Sequence, residues 1–428
     1  MSSSNAKTTN LQSERTAIGW SLLNIRELRW LWTAQAISQI GEGLNKVALL
    51  YLVYNLTQST LKMTVIGVLE TLPPLIVGPL LGVYVDRFSK KHIMMAVDGT
   101  RAGLALIIPL LYASHALSLT ALYAVVFVMA MVGTVFGPAL SATVPLIVER
   151  AQFTAANALV ATTAMLGMLV GPAVSGLGIA TVGIQVVLYV SSGTFLLSVL
   201  SLAQLRLKRG ALQTNQCPSG ATFADDLKEG LRYVFMKRRT IAGLVLTALC
   251  YSLASSAFVF LLPVLADKVL HAGAMLLGWL WSSYGAGMVL VSIGLASSKQ
   301  PEPSVRVMFV AVAMLTGGAA SFILAETATP LFCIGLVAII GAGLASFTPI
   351  VWALLQEMTP ETLRGRIFGI FNTAAMSASM LGMVIFGWTT DRLGPQISLF
   401  GMGGILWATA AALLLLRKYG DLNLHSVE

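Results

Sequence analysis

The chain has 428 residues, of which 56% are apolar and 11% charged, with a mean hydropathy of +0.81. An ordinary soluble domain carries about 25% charged residues, so this chain lacks the polar side chains to cover a water-facing globule and reads as a polytopic membrane protein. Its net charge of +9 would suggest nucleic acid in a soluble protein. Here the distribution of that charge among loops matters more, and no nucleic-acid partner is expected.

Residues 1–29 are polar, rich in Ser, Thr, Asn and Arg, with no apolar stretch leading to a cleavage site, and read as a cytoplasmic tail. Apolar stretches of roughly twenty residues, enough to cross the hydrocarbon core as a helix, then recur about twelve times. Their approximate limits are 30–54, 61–84, 92–113, 117–141, 152–180, 184–205, 240–264, 274–297, 305–325, 330–355, 366–388 and 395–416. This predicts an all-α membrane protein with a six-helix bundle over 30–205, a linker over 206–239, a second six-helix bundle over 240–416 and a tail over 417–428. Within the linker, Phe223, Leu227, Leu231 and Val234 share one face, which reads either as an amphipathic helix on the membrane surface or as a solvated linker. With the N-terminus inside, most of the 27 Lys and Arg fall on inner loops and tails, and only Lys62, Lys268 and Arg392 on outer loops. The excess of positive charge on cytoplasmic loops then puts both termini in the cytoplasm.

The two bundles repeat. A shift of 211 residues brings Thr162 and Met165 onto Thr373 and Met376, Gly171 onto Gly382, and Gly176 onto Gly387. Two parallel six-span halves joined by a long cytoplasmic loop is a known transporter plan.

The loop between spans 2 and 3 reads Gly82-x-x-x-Asp86-Arg87-x-x-Lys90-Lys91. It resembles the G-x-x-x-D-R-x-G-R-K signature of the major facilitator superfamily, with Ser89 in place of the second glycine. The resemblance implies that Gly82 packs span 2 on span 11, that Asp86 faces the N-terminal end of span 11, and that Arg87, Lys90 and Lys91 hold a cytoplasmic gate. A charged loop that only enforces topology would explain the basic residues but not the spacing of Gly82 and Asp86. In span 5, Gly167-x-x-x-Gly171-Pro172-Ala173-Val174-Ser175-Gly176 looks like the antiporter signature of that superfamily, with Ser for one Gly. Small residues there let helices approach closely and Pro172 frees a backbone carbonyl. Ordinary helix packing would use the same pattern. Phe136-Gly-Pro-Ala139 with Pro145, Ala155-Ala-Asn-Ala158, and Thr359-Pro-Glu-Thr-Leu-Arg-Gly-Arg366 are similar to the twelve-span drug:proton antiporter branch that holds macrolide and enterobactin-type siderophore exporters. The Arg-x-x-x-Gly signature of span 4 is missing, so no proton role transfers to that span. The resemblance implies a multi-pass protein of a bacterial plasma membrane, the inner membrane in a Gram-negative cell.

A charge inside a span costs about 2.5–3.5 kcal/mol on insertion scales and is a functional candidate by default. Such charges are Glu42 and Lys46 in span 1, Glu70 in span 2, and Asp98 and Arg101 in span 3. Gln35, Ser38, Gln39, Glu42, Asn45 and Lys46 form one polar stripe that lipid would not tolerate, and they are expected to line a central cavity. Glu42 and Lys46 are one turn apart and can pair, so Glu42 reads either as half of a structural ion pair or, with Glu70, as the site of proton or substrate coupling. Asp98 and Arg101, at i, i+3 and nearer the cytoplasmic half, are expected to form a structural pair or a pair that belongs to the cytoplasmic gate. From the second half, Tyr251, Gln356 and Asn372 are expected to contribute to the cavity wall among many aromatics.

No phosphate-binding loop, zinc-protease motif or Ser-His-Asp spacing is present, and the three cysteines and four histidines make no metal spacing. A non-enzymatic, cofactor-free monomer driven by a proton gradient is expected. It would exchange protons for a small amphiphilic molecule such as a siderophore or drug by alternating access. A lysophospholipid or nutrient carrier of the same fold is the alternative, and a non-transporting sensor or scaffold is the alternative from another class.

Overall fold

The computed structural model describes residues 21–149, 152–207, 239–297, 302–359 and 364–419, with the backbone path alone at 79–87, 154, 239, 296–297, 364–366 and 419. The linker and both tail ends therefore lie outside the described residues, as do the side chains of Asp86 and Arg87 and most of the Thr359–Arg366 motif. Among the described residues every long element is an α-helix: α1 Arg26–Thr57, α2 Thr60–Arg87, α3 Lys90–Ala113, α4 Leu119–Gly133, α5 Phe136–Thr143, α6 Phe153–Thr181, α7 Ile184–Ala203, α8 Arg239–Val264, α9 Gly273–Ser297, α10 Pro303–Glu326, α11 Pro330–Met358, α12 Arg364–Leu393 and α13 Pro395–Tyr419. The short α4 and α5 together make one span, Leu119–Leu146, so the helices follow the twelve expected spans.

Eleven of these spans are long and apolar enough to cross a membrane. The remaining one is α1. At 32 residues it has ample length, but its stripe from Gln35 to Lys46 lowers its hydropathy below that of the others. A span that gives up apolar character in this way must hide its polar face in protein, because lipid offers no hydrogen bonds.

Helix boundaries follow ordinary end chemistry. Pro303, Pro330 and Pro395 open α10, α11 and α13, where a missing N–H costs nothing because that group would have no partner in the helix. Ser118 caps α4 by accepting a hydrogen bond from the Ala121 N–H, 3.1 Å. The turns between α6 and α7 and between α12 and α13 each pivot on a left-handed glycine, Gly183 at φ 89° and Gly394 at φ 93°. These two are 211 residues apart, so the backbone reproduces the sequence repeat at a position where a side chain would be strained.

The chain groups into two compact units. One gathers the described residues up to Leu49 and from Leu72 to Leu207, and the other gathers Leu50–Thr71 with everything from Arg239 onward. The division falls within α1 and α2 rather than between spans. The cause is visible at Gly67, where the missing side chain lets Phe260 of α8 and Met383 of α12 press onto α2; a Cβ there would lie 2.8 Å from the Met383 sulfur. In the first unit, Leu28, Leu31, Met94, Phe136, Leu159 and Leu202 form a shared core of α1, α3, α5, α6 and α7. In the second, the Ser321 hydroxyl of α10 donates to the Leu399 carbonyl of α13, 2.9 Å.

Candidate functional site

The most unusual site is a polar network inside the first unit. Asp98 lies eight residues into α3 and is 0% exposed. Its carboxylate accepts hydrogen bonds from Ser198 of α7 at 2.5 Å and from Ser38 of α1 at 3.3 Å. One turn along α3, Arg101 stands 4.0 Å from the same carboxylate and 3.5 Å from Glu42 of α1. The guanidinium also lies 5.9 Å from the centre of the Phe195 ring, within the range of a cation–π contact. It lies directly against Gly133, where a side chain would collide with it. Three helices thus deliver one cation, two carboxylates and two hydroxyls to one place.

This arrangement bears on three expectations. Glu42 stands next to Arg101, a partner sequence spacing could not show because it comes from another helix. Arg101 and Asp98 do meet at i, i+3, inside a buried network with α1 and α7. Ser38 is 1% exposed and committed to Asp98, so at this level the polar stripe is a helix seam and Ser38 lines no open space. Gln35 and Asn45 are also buried, and their side-chain carbonyl oxygens have no hydrogen-bond partner among the described residues. Gln39 and Lys46 are half-buried and Glu42 is exposed. Glu70 is half-buried and falls in the second unit.

The span 5 glycines form the other wall of α1. A Cβ at Gly171 would lie 2.8 Å from the Gly43 Cα and 2.9 Å from the Ile40 carbonyl, and one at Gly167 would lie 2.6 Å from the Gln39 carbonyl. Ser175, which stands for the signature's glycine, is fully buried and donates to the Leu44 carbonyl at 3.0 Å. Pro172 and Gly176 are buried beside it. Without a hydrophobic drive between helices in lipid, such close backbone approach is what holds spans together. The repeat holds here too, since Gly382 of α12 presses on Leu253 and Ser256 of α8 as Gly171 of α6 presses on α1.

Of the expected gate residues, Gly82, Asp86 and Arg87 lie where side chains are not described. Lys90 is half-buried. Lys91 donates to the Ala203 and Leu205 carbonyls at 2.7 and 2.8 Å. A cation there meets the negative end of α7 and ties the start of α3 to the end of α7. In the second unit, Tyr251 donates to the Leu344 carbonyl at 2.9 Å and stacks on Phe347 with ring centres 4.1 Å apart. Its hydroxyl and one ring face are therefore occupied by α11. Gln356 and Asn372 are exposed, and the Trp352 ring of α11 packs on Phe368 and Phe371 of α12.

Sequence reasoning missed an ion pair in the second unit. Arg306, 7% exposed near the start of α10, makes a bidentate contact with Glu357 near the end of α11, at 2.8 and 2.6 Å. Both residues fall at predicted span ends and so looked like loop charges. Removing one partner strands the other, and Arg306→Ala is expected to cost about 3–5 kcal/mol. Replacing both by apolar residues is expected to cost much less. A double-mutant cycle on thermal unfolding in detergent checks this, and additive losses would show the pair to be uncoupled. Among the described residues no group of His, Cys, Asp and Glu could hold a metal ion.

A polytopic helical protein with a six-plus-six repeat, glycine seams at equivalent positions and ionisable groups buried between spans has the build of a secondary carrier. Solved structures agree on the fold. A POT family transporter in complex with 5-aminolevulinic acid superposes with a TM-score of 0.71 over 92% of this chain and 96% of its own, at 12% identity. A bacterial homologue of the lysosomal transporter Spinster gives 0.67 over 94% and 97%, at 13% identity. The chain belongs to the transmembrane secretion effector family of the major facilitator superfamily, whose pattern matches residues 17–426. The multidrug efflux pump Tap of Mycobacterium tuberculosis is 27% identical over 251 residues, and the match spans 58% of each chain. An uncharacterised transporter of the superfamily, YfiS of Bacillus subtilis, is 29% identical over 93% of this chain and 95% of its own. The macrolide efflux protein A of Streptococcus pyogenes is 22% identical over 85% and 89%.

Proposed function

We propose that this protein exports small amphiphilic molecules across a bacterial plasma membrane in exchange for protons, by alternating access, with both termini in the cytoplasm. The observation that carries the reading is the Asp98–Arg101–Glu42 network. A carboxylate with no solvent exposure and a cation between two acids are costly in a membrane protein, and a carrier has a use for them. When Asp98 is ionised, Ser38, Ser198 and Arg101 stabilise it. When it takes up a proton, its hold on Arg101 weakens and the guanidinium is left to Glu42 alone. That change moves a charge between α3 and α1, which is what coupling a proton to a helix rearrangement requires. The names of the relatives favour drug-like and macrolide cargo over siderophores. The basic inner loops support the orientation, and no cofactor or second copy is invoked.

Purified protein in liposomes with an imposed pH gradient tests the proposal, with a radiolabelled macrolide as probe. Accumulation of the macrolide is expected only with the gradient, and a protonophore should abolish it. Glu42→Gln is expected to remove the gradient dependence while leaving the protein in the membrane. Uptake indifferent to the gradient would make the protein a uniporter, and no uptake of any amphiphile in a panel would overturn the transport reading.

A further inference from the structure

The end of α12 reads Gly387-x-x-x-Asp391-Arg392-x-Gly394. It has the same form as Gly82-x-x-x-Asp86-Arg87 at the end of α2, but on the orientation proposed above it lies at the opposite, outer side of the membrane. The structure describes its side chains and its partner. A Cβ at Gly387 would lie 2.8 Å from the Thr64 hydroxyl and 3.1 Å from the Leu61 Cα, so the glycine is what allows α12 to lie against the first turns of α2. One turn on, Asp391 reaches the N-terminus of α2. Its carboxylate accepts from the Thr60 N–H at 2.6 Å, the Leu61 N–H at 3.2 Å and the Ser59 hydroxyl at 2.5 Å. The Ser59 oxygen in turn accepts from the Lys62 N–H at 3.3 Å. An N-terminus normally finds its cap in its own chain segment. Here Ser59 supplies that local cap, and the first two N–H groups of the helix go to Asp391, more than 320 residues away in sequence.

We propose that Gly387 and Asp391 form an outer latch that holds the start of α2 to the end of α12 and must release before cargo can leave on the outer side. The reasoning rests on the transport reading. In alternating access the first-half and second-half spans part at one side of the membrane at a time, and α2 and α12 come from different halves of the repeat. A carboxylate bound to helix N–H groups is held by directional, charge-assisted bonds at an exposed position, so water can replace it at little cost when the helices separate. A contact of that kind favours one state without trapping it.

The latch is read by labelling, which needs no cargo. In intact cells expressing the chain with its three cysteines changed to serine, Thr64→Cys places a thiol under Gly387, where the native residue is fully buried. An impermeant maleimide is expected to react slowly. Adding Asp391→Asn or Asp391→Ala is expected to raise the labelling rate about tenfold, equivalent to about 1.4 kcal/mol, whereas Asp391→Glu should give an intermediate rate. Unchanged rates in the Asn and Ala variants would overturn the latch, whatever happens to thermal stability. Should those variants fail to accumulate in the membrane, Ser59→Ala decides. A rise of a few-fold supports the latch, and no rise overturns it. Labelling seen only in inverted vesicles would reverse the assumed orientation and with it the latch's placement outside. Because labelling and macrolide uptake are separate readouts, failure of the latch and failure of the transport reading are distinguishable.

Discussion

Asp98→Asn is expected to reduce gradient-driven transport at least about 100-fold, equivalent to about 2.7 kcal/mol, with normal amounts of protein in the membrane. Asparagine keeps the size of the side chain and can still accept from Ser38 or Ser198, but it carries no charge for Arg101. The network would then be held permanently in the arrangement that protonation produces only transiently. Stability separates this from a structural role. Arg101 keeps Glu42 as a partner in the variant, and burying a carboxylate is costly even when it is paired and hydrogen-bonded, so the variant is expected to melt at the same temperature as the parent or higher. A lowered melting temperature with transport intact would make Asp98 an anchor for α1 and α7 and remove it from coupling. Transport by reconstituted protein and melting in detergent, measured on the same preparation, decide between the two.

Gly171→Ala is expected to lower the melting temperature by several degrees. The added carbon would stand 2.8 Å from the Gly43 Cα and 2.9 Å from the Ile40 carbonyl, both backbone atoms that cannot rotate away. The seam between α6 and α1 must open, at the cost of about 1–3 kcal/mol typical of overpacking. Gly382→Ala is expected to do the same between α12 and α8, because its added carbon would meet Leu253 and Ser256. Gly193→Ala is the control, since nothing lies within 4 Å of its added carbon. Equal melting for all three would show that the seams tolerate expansion and that the glycines serve another purpose.

The two predictions draw on different kinds of information. The glycine seam was readable in advance. Gly167 and Gly171 are four residues apart on one helix, and helical periodicity puts such residues on one face without reference to the rest of the fold. The repeat was readable for the same reason, and the structure repeats it at Gly183 and Gly394 and at Gly171 and Gly382. The network of Asp98, Arg101 and Glu42 was only half readable. Each ionised residue within a span announced itself, because a charge among twenty apolar residues is improbable unless used. Its partner was less visible. The i, i+4 spacing offers Lys46 to Glu42, but spacing along one helix ranks only neighbours on that helix, and Arg101 arrives from α3. Asp391 and Arg306 do not stand out in the sequence, because charges at span ends are ordinary topology signals.

The sequence by itself determined that the protein lives in a bilayer, that it crosses about twelve times in two related halves, and which superfamily it belongs to. These properties depend on composition, on segment length against a fixed membrane thickness and on short local motifs, all of which a linear chain carries. Only the tertiary structure decided that Ser38 and Ser198 donate to Asp98, that Arg101 stands between Asp98 and Glu42, and that Asp391 takes the first two N–H groups of α2. Each of these is a hydrogen bond or ion pair of a few ångströms between helices distant in sequence. Which faces of two helices meet depends on how all the surrounding spans pack, and no local pattern in the chain encodes it.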